Sequence, residues 1–574
     1  MKRYPFLRTL SFLFGLASIA AWTCVGASGT AQTQLSVSLG FENRTTPGRY
    51  APVTIEVQNL AASESARLQS IQLVGNEWRG EAEMRIELAE AIQSDGEYTR
   101  VLPVYDPANP ISFELISSTG DVLAATELDL REGFRAAPYP VYDRVLPRFD
   151  QEAALVDVAT LPGDWWAYDS AESVWIASAL PDESWEALAR WVLAGGSLVV
   201  LTGSDFYRMD TPALRALLPV DEPDLAFSSS GASYLSGTFE PDTVMMESDD
   251  AFPLLIQAQS GAGTVSLVTV RAGALSTSQL ADIAERVPTA SLMQLDEVTS
   301  ALLGAEQVTT LNKAALLLLI GLAIGVVGTA TILGRRRQRW GWGAFGLGVA
   351  LLSVLSGSIS NPTKRVIDVY AYNTNVSVIT RVGIELVASS LYSRADQPFQ
   401  QAHAGGLMPI LALPRSLRTA DSYSVSTGAG ATAMSILPGE VRRWHAYAPS
   451  ASLVHVHREG ANSVQISSYL GFERAWIVID GYVHPVDVLQ DGTHTYPLTD
   501  SLGRLPTFIG EARGGPDEPV ARILDTVRSR IPIQQGVWLI AASLREETSI
   551  DGVAQKVRDL SLVIAQDWEA PHEN

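Results

Sequence analysis

The chain has a single cysteine, Cys24, and it lies so near the N-terminus that a form trimmed after residue 31 carries no thiol. Disulfides, thiolate metal sites and cysteine nucleophiles are excluded from such a form. Histidine is nearly as scarce: of the 7 in the chain, none precedes His403. Everything before that point therefore lacks a Ser-His-Asp set, a Cys-His set and a histidine-bound metal. Lysine is confined to Lys2, Lys313, Lys364 and Lys556, and 41 basic residues against 63 acidic ones leave a formal charge of −22. A surface of that sign repels phosphate backbones and anionic headgroups, so no nucleic-acid partner is expected.

What the chain does have is length and apolar runs. At roughly 100–200 residues per domain, 574 residues divide into about three soluble domains. Residues 314–334 (AALLLLIGLAIGVVGTATILG) and 341–360 (GWGAFGLGVALLSVLSGSIS) are uncharged, and each matches the roughly 20 residues needed to cross a bilayer as a helix. Trp340 and Trp342 stand where interfacial aromatics belong. Between the runs, residues 335–340 read RRRQRW. Arg335, Arg336, Arg337 and Arg339 would hold so short and basic a loop on the cytoplasmic side.

The expectation is a two-helix transmembrane hairpin in the cytoplasmic (inner) membrane, with the lipid bilayer as a partner and all soluble domains extracytoplasmic. The plainer reading of either run is a buried core helix. Gly321, Gly325 and Gly328 on the first run, with Ser353 and Gly357 on the second, form small-residue faces suited to close helix packing. Neither run holds an ionisable residue, which argues against a transport path. Lys2, Arg3 and Arg8, an apolar stretch at 10–21 and the small residues Gly29, Thr30 and Ala31 read as a signal peptide over residues 1–31.

Residues 35–137 are strand-like. Val53, Ile55 and Val57 alternate with Thr54 and Glu56, the period-two signature of a half-buried strand, after a turn at Thr46-Pro47-Gly48. Similar runs recur at hairpin spacing, and an immunoglobulin-like β-sandwich is expected, without the Cys and Trp hallmarks of true immunoglobulin domains. Adhesion or spacing is as good a reading of it as specific ligand binding.

The period then changes. The apolar run at 173–178 precedes a helix opened by Pro181-Asp182-Glu183 with Trp185, Leu188 and Val192 at helical spacing. That helix stops at Gly195-Gly196, and the apolar strand 197–202 follows, which makes a βαβ unit of a doubly wound parallel sheet. Residues 161–206, and above all Trp191-Val192-x-x-Gly195-Gly196-x-Leu198-Val199-Val200, resemble the glutaminase-like (class I glutamine amidotransferase-like) domains of bacterial membrane proteins. The resemblance covers 150–274. Working members of that family carry a cysteine on the elbow after a central strand and complete the triad with a histidine and a carboxylate. This domain has neither cysteine nor histidine, so the resemblance implies a catalytically empty scaffold.

Residues 275–313 are expected to be helical and to rest beside the membrane. Residues 365–570 are strand-rich again and are expected to form a second, sandwich-like β domain. Three groups could still bear chemistry. Glu247, Asp249 and Asp250, or Asp221, Glu222 and Asp224, could supply paired carboxylates for hydrolysis, although short acidic clusters in so acidic a chain are ordinarily solvated loops. Trp165 and Trp166 could stack on a sugar or simply pack a core. His455 and His457 would share one strand face, with His445 nearby in sequence, but strand spacing places no third ligand.

The expected function is a non-catalytic assembly scaffold or partner-recognition component on the outer face of the membrane, with no cofactor and no metal. The alternative is a carboxylate-dependent hydrolase acting on envelope glycan or peptide. Proteins of similar layout accompany envelope ATPase and von Willebrand-type systems, which implies envelope protein partners and an ATPase-linked complex.

Overall fold

The computed structural model describes residues 32–290 and 369–566 apart from internal breaks, the longest at 411–422, together with Val298, Leu302 and Thr331. The N-terminal domain is two facing sheets. One joins β1 (Gln34–Leu39), β2 (Arg49–Gln58) and β5 (Gly96–Val104) in the order β1-β2-β5. The other is ordered β4-β3-β6-β7 from β3 (Ala66–Asn76), β4 (Gly80–Ile92), β6 (Ile111–Ser117) and β7 (Val122–Leu128). The alternation in β2 fixes which side is core: Val53, Ile55 and Val57 are buried and pack with Leu68, Ile86, Phe113 and Leu115 of the second sheet. A distant segment, Tyr423–Ser426, adds itself in parallel to β4.

The second domain is a seven-stranded sheet ordered β14-β15-β16-β11-β10-β8-β9. Its parallel part comprises β8 (Tyr139–Asp143), β9 (Ala154–Val156), β10 (Ala171–Ile176), β11 (Ser197–Leu201) and β16 (Gly263–Val268). Two antiparallel strands, β14 (Val244–Glu247) and β15 (Pro253–Ser260), finish one edge. A separate hairpin, β12 (Asp221–Phe227) and β13 (Ser233–Thr238), is inserted between β11 and β14.

Helix α1 (Asp182–Leu193) buries Trp185, Leu188, Trp191 and Val192 on one face of the sheet. Helix α2 (Thr277–Ala284) buries Leu280 and Ile283 on the other. Asp182 and Glu183 in the first turn of α1 complement its dipole, and Gly195, at φ +123°, lets the chain leave. Helix α2 carries a full capping box between Ser276 and Gln279. It belongs to this domain, as does the segment ending at Ala290, whose N–H donates to Glu172 O.

The C-terminal region is built on a nine-stranded mixed sheet. Its spatial order is Met408–Ile410, Val441–Pro449, Gly383–Ser393, Val369–Ile379, Gln555–Gln566, Val537–Ser549, Arg474–Ile479, Tyr482–Val486, Gly503–Arg504. A three-stranded sheet of Val454–Arg458, Ser463–Ser468 and Gly492–Pro497 covers one face through Val454, Val456, Val464 and Ile466. Helices α3 (Leu505–Ala512) and α4 (Glu518–Val527) cover the other through Phe508, Ile523 and Leu524, against Trp476, Val478 and Trp538.

The expected fold class is corrected on two points. Among the described residues strand predominates over helix, and no helix is long and apolar enough to cross a membrane, so the two-helix transmembrane hairpin does not stand. Apart from Thr331, its segments 314–334, 335–340 and 341–360, with Arg335, Arg336, Arg337, Arg339, Gly321, Gly325, Gly328, Ser353 and Gly357, lie outside the described residues, as does the expected signal peptide at 1–31. The C-terminal domain, in turn, is not a two-sheet sandwich. Strand Arg474–Ile479 is buried on both faces, and α4 turns a strongly apolar side onto the large sheet, so the layers run sheet, sheet, helix.

Candidate functional site

In an open parallel sheet, ligands bind outside the carboxyl ends of the strands where the strand order reverses. Here that point lies between β8 and β10. Asp143 closes β8 and is buried there. One of its oxygens accepts from Val145 N (3.2 Å) and the other from Ala177 N (3.1 Å), just past β10. The carboxylate therefore stitches the two loops together.

The next loop, after β11, turns sharply at Thr202-Gly203-Ser204. Gly203 sits at φ +55°, and a Cβ there would lie 2.4 Å from Arg271 N and 2.8 Å from Val270 C. The Thr202 hydroxyl donates to Val268 O (3.2 Å). Beyond it, the β12–β13 hairpin is laid over the ends of β11 and β16: Leu235 N donates to Thr269 O (2.7 Å), and Tyr234 stacks on Phe252 at 4.8 Å. The strand-to-helix elbow thus has backbone where a reactive side chain would stand.

The acidic residues are dispersed. Asp221, Glu222 and Asp224 are exposed on β12, and Asp224 accepts from the Tyr207 hydroxyl (3.1 Å), which raises that phenol's pKa. Glu247 ends β14 in a different sheet, opposite Pro253, while Asp249 and Asp250 lie outside the described residues. Trp165 and Trp166 are buried and stack on each other at 4.1 Å, so neither offers a face to a sugar. His455 and His457 flank buried Val456 on the exposed face of their strand. His445 belongs to the large sheet instead, paired with Ala388 and Met408. Among the described residues no group of three or more His, Cys, Asp or Glu could hold a metal ion.

The most specific polar cluster is one that pattern reading misses: the joint between the sandwich and the α/β domain. The 3-10 turn Trp165–Tyr168 delivers Asp169 to the start of β2. There the carboxylate accepts from Arg49 Nη1 (3.0 Å) and from Tyr50 N (3.0 Å), and Ser170 donates its hydroxyl to Tyr50 O (2.8 Å). Tyr139 donates to Arg44 O (2.6 Å), and Arg44 donates to Glu152 O. Apolar contacts back these bonds: Tyr50 lies against Trp166 at 5.1 Å and Phe41 against Tyr168 at 5.8 Å. Burial pushes the Asp169 carboxyl above its ordinary range, opposed by the Arg49 charge and the Tyr50 N–H. Burial likewise pushes the phenols of Tyr50, Tyr139 and Tyr168 far up. No local signal marks the joint, because Arg49 and Asp169 are 120 residues apart.

No family model matches the sequence, and no curated protein matches it. Among solved structures the chain is similar to the exo-beta-1,4-mannosidase Op5Man5 from Opitutaceae bacterium strain TAV5, at 15% identity and a TM-score of 0.19. The match covers 26% of this chain and 34% of that one, about a third of its length, and carries no conclusion about this protein.

Proposed function

We propose that this chain is a non-catalytic component of the cell envelope, an assembly scaffold that holds protein partners on the extracytoplasmic side. The observation that carries the reading is Gly203. At the elbow where the resembled amidotransferases bear their nucleophile, this chain has a glycine packed against the Val270–Arg271 backbone, in a domain without cysteine or histidine. The switch-point carboxylate, Asp143, is committed to two backbone N–H groups. The Asp169 joint favours a scaffold too, since it fastens the sandwich to the α/β domain through buried polar bonds. The basic and apolar residues within 1–31 support export, and analogy with proteins of similar domain layout makes an ATPase-linked envelope complex the partner class to seek.

Cross-linking in intact cells followed by purification of the full-length protein tests this. A complex of fixed stoichiometry is expected, together with no turnover of envelope glycan or peptide by the purified chain. A protein that stays uncomplexed and hydrolyses either substrate, with loss of activity on Asp221→Asn or Asp224→Asn, would replace the scaffold with the hydrolase.

A further inference from the structure

The joint between the first two domains encloses one carboxylate almost completely. Asp169 is 7% exposed, whereas Arg49, its one cationic partner among the described residues, keeps 30% of its side chain in water. Solvent therefore screens part of what Arg49 offers, while Asp169 gives up nearly all its hydration on docking. The other titratable groups facing the joint are otherwise engaged. Glu42 pairs with Arg148 (2.9 Å) and Arg44 (3.8 Å), and Glu152 pairs with Arg135 (3.3 Å). Asp164 caps its own turn at Trp166 N. The phenols of Tyr50, Tyr139 and Tyr168 are held neutral by burial.

We propose that this joint is a proton-sensitive hinge: the sandwich docks more tightly on the α/β domain when Asp169 takes up a proton and loosens as the carboxylate ionises. The sign follows from linkage. Separated, Asp169 returns to water and to an ordinary carboxylate pKa. Docked, burial raises it by more than Arg49 and Tyr50 N lower it. The docked state is then the one that binds the proton more strongly, so acid favours docking. A protonated Asp169 still accepts the Tyr50 N–H through its carbonyl oxygen, so the backbone bond survives while the buried charge disappears. This rests on the geometry of the joint and is independent of the scaffold reading.

Hydrogen exchange of the full-length protein at about pH 7.5 and about pH 5, corrected for intrinsic exchange, reads docking at the Tyr50 amide, which donates to Asp169 across the joint. Wild type is expected to be better protected in acid. Asp169→Asn, a neutral isostere, should be protected at both pH values and lose the difference. Arg49→Gln leaves an ionised Asp169 with the Tyr50 N–H alone; protection should fall about tenfold at neutral pH and recover in acid. Loss of protection in Asp169→Asn at neutral pH would show the ion pair itself to be the fastener and overturn the proposal. So would an Arg49→Gln joint that stays open in acid, and that variant decides the matter if the asparagine protein does not fold.

Discussion

Gly196 lies flat against the indole of Trp191: a Cβ at position 196 would stand 2.3 Å from Trp191 Cδ2, well inside contact distance. Trp191 is fully buried on the sheet side of α1. The pair sets how closely the end of the helix approaches the start of β11, and hence where the elbow at Gly203 emerges.

Gly196→Ala should therefore destabilise the α/β domain by about 1–3 kcal/mol through overpacking, and Trp191→Ala by about 3–5 kcal/mol through the cavity it leaves. Because the two act on one contact, the double variant should cost less than the sum. Chemical denaturation followed by domain-resolved exchange checks this; strict additivity would mean that the two residues do not share a contact.

At the elbow, Gly203→Ala meets both a left-handed backbone and the Val270–Arg271 backbone. A loss of about 2–4 kcal/mol is expected from conformational strain and overpacking together, measured as a lower denaturation midpoint. A neutral outcome would mean that the elbow is open, and the emptiness argued from it would fail.

Tyr139→Phe removes the hydroxyl that donates to Arg44 O (2.6 Å) across the joint. The expected cost is about 0.5–1.5 kcal/mol, appearing as faster exchange around Arg44 while amides in the C-terminal region stay unchanged. Uniform loosening across the chain would contradict a role confined to the joint.

Alkaline stability has a definite sign. The phenols of Tyr50, Tyr139 and Tyr168 have folded pKa values raised by burial, so their contribution is intact below the unfolded pKa of about 10 and falls as pH rises above it. Phenolate absorbance should show these tyrosines ionising only together with unfolding. Ionisation of the full tyrosine complement while near-ultraviolet dichroism remains native would refute this.

Much of the local architecture was legible in the residues. The alternation at Val53, Ile55 and Val57 gave β2 its buried face, and the spacing of Trp185, Leu188 and Val192 gave α1 its own, because side-chain direction follows backbone period directly. The hairpin β12–β13 was less visible. Its strand β12 is exposed or only half-buried along its length, so no apolar period distinguishes it from an acidic loop. The third layer of the C-terminal region was also missed. Strand periodicity tells which residues are buried and not what buries them, so the helices α3 and α4 had no assigned place on the large sheet.

By itself, the sequence determined chemistry by subtraction and structure by period: no thiol or imidazole before His403 beyond Cys24, a strongly acidic chain, and the identity of strands and helices with a sided pattern. Tertiary structure alone decided that Asp169 meets Arg49 and Tyr50 across 120 residues, that Gly203 has backbone in the space a side chain would need, and that the C-terminal sheet carries helices on one face. The physical reason is the range of the forces involved. Backbone period and propensity act over a few neighbours, whereas a buried carboxylate, a close approach and a covered face exist only where distant segments exclude water together.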